Sequence, residues 1–80
     1  MKTTKTQNDC WKLRRDEFGM LHSTLQTERG RATIVHHIFD DTEWFEVFAR
    51  NSDGYEIIRT SRNQLADAKQ LVEKRLAGGI

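Results

Sequence analysis

The stretch EWFEVFARNSDGYEIIR, Glu43 to Arg59, decides the fold. Asn51-Ser52-Asp53-Gly54 is a turn by composition, and the runs on either side are rich in the aromatic and β-branched residues that favour strands. A register that sets Phe48 against Ile57 also sets Val47 against Ile58 and Glu46 against Arg59, so apolar meets apolar and the charges oppose. With that pairing, one face carries Phe45, Val47, Ala49 and Ile58. The other carries Trp44, Phe48, Tyr55 and Ile57, interrupted by Glu46, Arg50 and Arg59. Both faces are apolar enough to require cover.

Upstream, ATIVHHIFD (Ala32 to Asp40) reads as a further strand, with Ile34, His36 and Ile38 on one face and Val35, His37 and Phe39 on the other. Asp40-Asp41-Thr42 turns it into Glu43. Downstream, apolar residues recur from Leu65 at Ala68, Leu71, Val72 and Leu76, within an arc of about 140° on a helix. Arg62, Asp67, Lys69, Glu73 and Lys74 take the opposite side. Ser61 and Gln64 have the spacing of a capping box, and Gly78-Gly79 supplies a stop. The first face of the hairpin belongs under this helix.

The segment Trp11 to Gln26 has two readings. Trp11, Phe18 and Leu25 recur at sevens, as a helix would use. Against that, Asp16-Glu17-Phe18-Gly19 has turn composition, and Gly19 and Thr24 disfavour a helix interior. As strands, Trp11 to Arg15 and Met20 to Gln26 extend a meander. The fold expected is α+β: an antiparallel sheet of three to five strands with a C-terminal amphipathic helix on one face, the alternative being α-β-β-β-α. Residues 1–9 read as a polar tail, and residues 10–80 as a single domain.

Composition bounds the function. The chain has 80 residues, 36% apolar and 31% charged, which describes a small globular domain. No apolar run approaches a membrane span of roughly 18 residues. The single cysteine, Cys10, excludes an intrachain disulfide and a multi-thiolate metal site, and fits a reducing cytoplasm. Net charge is +1, but residues 1–31 carry a net +3, residues 32–58 a net −5 and residues 59–80 a net +3.

For chemistry, His22, His36 and His37 are the candidates besides carboxylates. Adjacent His36 and His37 point to opposite faces of a regular strand, so they do not chelate one ion together. No phosphate loop, activated nucleophile or carboxylate pair stands out. The expectation is a non-enzymatic module with no cofactor. Its protein-interaction residues are Trp44, Phe48, Arg50, Tyr55, Ile57 and Arg59, since Trp, Tyr and Arg combine large buried area with polar tips. Their partner is a host or partner protein, or a second copy in a homodimer. If Trp11 is not the cover for the Trp44 face, another molecule is.

Two resemblances bear on this. Trp11, the Asp16–Gly19 turn, and a last strand leading into Ala66-Asp67-Ala68-Lys69 give the chain a similarity in style to small phage and mobile-element proteins. These are β-meander-plus-helix proteins, some of them anti-CRISPR or other host-factor inhibitors. That resemblance implies stoichiometric inhibition or modulation of a host protein. With Asn8 to Thr27 helical, the α-β-β-β-α order resembles a double-stranded-RNA-binding domain, and Gly54 to Leu76 has a similar strand-turn-helix length, although such domains place lysines where this chain has Ser61-Arg62-Asn63-Gln64. A three-stranded reader similar to integrase arm-binding domains would use Lys12, Arg14 and Arg15. The nucleic-acid alternative therefore rests on Lys12, Arg14, Arg15, Arg62 and Lys69, and the acidic central hairpin opposes it by repelling phosphate.

Overall fold

The computed structural model describes residues 11–77. The expectations for the 1–9 tail, Cys10 and the Gly78-Gly79 stop lie outside them. Five strands follow in chain order: β1 Lys12–Arg15, β2 Leu21–Thr27, β3 Gly30–Phe39, β4 Thr42–Asn51 and β5 Glu56–Arg62. The helix α1, Leu65–Leu76, comes last. The sheet order is the chain order, and every neighbouring pair is antiparallel. The architecture is an α+β meander with one helix packed against it. Trp11 to Thr27 is strand and turn, so the α-β-β-β-α alternative does not hold.

The turns explain the registers. At Asp16, Oδ1 accepts the backbone N–H groups of Phe18 and Met20, and Gly19 closes the turn at φ 85°. Asn51 repeats the device: its Oδ1 accepts from Asp53 and Tyr55, and Gly54 sits at φ 91°. In both, the preceding arginine donates to the glycine carbonyl, Arg15 to Gly19 and Arg50 to Gly54. Arg-Asp/Asn-x-x-Gly is thus one three-residue hairpin loop used twice. A short side-chain acceptor and a glycine free to adopt positive φ build it.

That loop pairs Asn51 with Tyr55. The partner of Arg50 is then Glu56, but the partner of Ala49 is Ile58, because a bulge leaves Ile57 unpaired. The expected register is corrected accordingly. Phe48 faces Arg59 instead of Ile57, Val47 faces Thr60 instead of Ile58, and Glu46 faces Ser61 instead of Arg59. Matching apolar residues across the hairpin missed the bulge, which lets Ile58 join Ala49 in the core and turns Ile57 to pack against it.

The core lies between α1 and one sheet face. It comprises Leu25, Ala32, Ile34, Phe45, Val47, Ala49 and Ile58 from the strands, with Ala68, Val72 and Leu76 from the helix. Alternation along β3 and β4 delivers the strand residues to one side, and the three- and four-residue spacing delivers the helical ones. Leu65 and Leu71 are half-buried at the margin. The expected capping box does not form: Ser61 is a strand residue paired with Glu46, and Gln64 caps the helix in extended backbone without a side-chain hydrogen bond. The strand runs on to Arg62, which leaves only Asn63 and Gln64 to reach the helix. No helix among the described residues is long and apolar enough to cross a membrane.

Candidate binding surface

Strand alternation fixes what the uncovered face displays. The register brings Trp44, Glu46, Phe48 and Arg50 of β4 to the side away from α1. Their partners follow: His37, Val35, Thr33 and Arg31 on β3, and Arg59 and Glu56 on β5. Farther out, Thr24 and His22 on β2 face Lys12 and Arg14 on β1. Of the six residues expected to form a protein interface, four share this open face: Trp44, Phe48, Arg50 and Arg59. Ile57 packs on the core side, and Tyr55, opposite Asn51, falls by alternation on the helix side, where it is exposed.

Nothing among the described residues lies over the open face. Trp11, the candidate cover, is on the helix side instead: its Nε1 donates to Glu73 Oε2 at 2.8 Å, and Lys69 Nζ stands 5.4 Å from the ring centroid. The β1–β2 hairpin extends the sheet sideways. It does not fold across it.

The two ends of the sheet differ. A helix of twelve residues spans about 18 Å. A strand of ten residues runs about 33 Å. The helix ends beside Gly30, where Leu76 packs, and covers Ile34 but not Ile38, so β3 and β4 run past it at their hairpin end. There Asp40 and Asp41 turn the chain in two residues, both at positive φ (51° and 68°), the geometry that matches strand twist. Ile38 and Phe39 are 69% and 72% exposed on the projecting tip. Phe18, 80% exposed, adds a third large apolar group from the neighbouring Asp16–Gly19 turn. With Met20, Trp44 and Arg15 these residues line a shallow cleft of about 480 Å³. The sequence reading missed this cluster, although the two-residue Asp40-Asp41 turn and the relative lengths of helix and strands carry the signal.

Histidine–carboxylate pairs brace this end. His37 Nε2 lies 2.8 Å from Glu46 Oε1, and its ring stacks on Trp44 at 5.0 Å between centroids and 8° between planes. On the helix side, His36 Nε2 lies 2.7 Å from Glu43 Oε1 and the ring stacks on Phe45. His22 Nε2 lies 2.9 Å from Asp16 Oδ2. That hydrogen bond, with the backbone N–H groups of Met20 and Phe18, holds the Asp16 carboxyl below its ordinary range against the opposing effect of burial. His22 faces Val35, on the side opposite His36, so these two do not join across the strands. No group of three metal-ligating side chains gathers among the described residues.

The expected nucleic-acid residues divide. Lys12 and Arg14 belong to the open face, whereas Arg15 pairs with Leu21 and Arg62 with Phe45 on the helix side, and Lys69 is on α1. They form no single surface. No family model, curated protein or solved structure matches the chain.

Proposed function

We propose that the protein is a small non-enzymatic binding module that docks a partner protein on the projecting end of its sheet, around Trp44. The observation that carries this reading is the group of exposed Phe18, Ile38 and Phe39 beside Trp44 in one shallow cleft. Large apolar side chains clustered in the open mark interaction sites, whereas singly scattered ones do not. Trp44 gives the cluster an anchor of the type that dominates binding energies, already held in place by His37. Stoichiometric inhibition or modulation of a partner needs nothing more than such a surface.

The test is a capture experiment with two baits. Wild-type chain immobilised at moderate salt retains a partner from lysate, and a Phe18→Ser, Phe39→Ser double variant with an unchanged circular dichroism spectrum does not. Retention of the same partner by both baits places the interface elsewhere. Because both side chains are exposed, the double variant keeps its fold.

A further inference from the structure

The other half of the open face differs from the apolar end. Arg31 and Arg50 are direct cross-strand partners, and Arg59 stands opposite Phe48, two positions along β4 from Arg50. Lys12 and Arg14 continue the same face at the β1 edge. Five cations thus meet three carboxylates there, Glu46, Glu56 and Asp16, the last bound to His22 opposite Arg14, a net of two positive charges. Glu46 is engaged by His37. Among the described residues every ion pair uses a histidine, so none of these five cations is paired with a carboxylate. Two arginine side chains are held by neutral acceptors: Arg31 Nε donates to Gln26 Oε1 at 2.9 Å, and Arg50 to the Gly54 carbonyl at 2.9 Å.

Four of the six acids in the middle of the sequence lie off this face. Asp40 and Asp41 are at the hairpin tip, Glu43 lies on the helix side with His36, and Asp53 is in the turn before β5. We infer that this half of the open face binds a single-stranded nucleic acid, with phosphates on Arg31, Arg50, Arg59, Lys12 and Arg14 and a base against Phe48. Charge complementarity selects a polyanion. Phe48 selects a strand whose bases are unstacked, because an aromatic ring on a cationic surface offers a stacking platform. The face is a sheet surface, and among the described residues no helix crosses it to enter a duplex groove. This surface is separate from the Phe18–Phe39 cleft, and either one stands without the other.

Fluorescence anisotropy of a labelled twelve-nucleotide oligodeoxythymidylate, titrated with the full chain from 50 to 300 mM salt, tests the inference. Saturable binding is expected, weakening steeply with salt. Arg31→Ala and Arg50→Ala should each flatten the log–log salt slope by about 0.7. Phe48→Leu, which keeps an apolar group on the strand, should weaken binding about tenfold. Phe39→Ser should leave it unchanged. Absence of binding at 50 mM salt overturns the inference, as does binding that survives the arginine variants intact. Tighter binding to the matching duplex overturns the single-strand assignment.

Discussion

Arg31 and Arg50 stand directly opposite one another across β3 and β4, each bonded to a neutral acceptor and neither to a carboxylate. Like charges so placed work against the hairpin that carries them. Arg31→Ala is therefore expected to leave stability within about 0.5 kcal/mol of wild type and to raise it slightly at low salt. Thermal melts at two ionic strengths check this. A loss of several kcal/mol would show Arg31 to be structural.

Gly30 begins β3 opposite Asn51 with no room for a side chain. A Cβ there would run into the Arg50 carbonyl oxygen and stand 2.9 Å from both Asn51 Cα and Leu76 Cδ2. Two of those three neighbours are backbone, so the strands would have to part. Gly30→Ala should prevent cooperative folding, whereas Gly54→Ala, with open space around it, should cost only the strain of its positive φ, about 1 kcal/mol. Denaturant titration of the two variants separates these outcomes.

Ile34 and Ile38 lie four residues apart on the same side of β3, yet one is buried under α1 and the other projects past it. Ile34→Ala should destabilise by about 2–5 kcal/mol, a large share of a small domain's margin. Ile38→Ala should change stability by less than about 0.5 kcal/mol. Equal losses in urea unfolding would mean that the hairpin end is covered.

Asp16 links pH to stability. Its folded carboxyl sits below the ordinary value, so the stabilisation is fully present above the unfolded value of about 3.9 and is lost as pH falls through the lowered one. Asp16→Asn keeps an acceptor for Phe18 and Met20 but removes the charge facing His22. Its stability deficit should be present at neutral pH and vanish in acid. A carboxyl titration by NMR in His22→Ala should show the Asp16 pKa returning toward the ordinary value, and no movement would assign the shift to the turn alone.

Much of the fold was legible because periodicity and turn composition agreed. The 3.6-residue recurrence from Leu65 gave the helix, and Asp16–Gly19 and Asn51–Gly54 gave two of the turns that order the meander. The β4–β5 register was not legible, because the bulge at Ile57 leaves no mark in a row of apolar residues. The register is displaced by one residue at Arg50–Glu56 and by two beyond the bulge, so Ile57 and Tyr55 lie on the other side of the sheet from the one expected. Strand parity places Trp44, Phe48 and Arg50 together, and Arg31 joins them only through the β3–β4 register that sets it opposite Arg50. The exposed end around Phe18 and Phe39 depends on a comparison of lengths, twelve helical residues against strands of ten.

The central claim is that the Trp44 face is a surface and not a second core. Circular dichroism melting of the Trp44→Ala, Phe48→Ala double variant beside Phe45→Ala tests it most directly. Phe45 is on the buried side of the same strand, and its loss should cost about 3–5 kcal/mol. The double variant should still melt cooperatively, with a smaller loss than Phe45→Ala alone, because both its side chains are only half-buried on the uncovered face. A double variant that is unfolded, or that loses more than Phe45→Ala, would contradict the account.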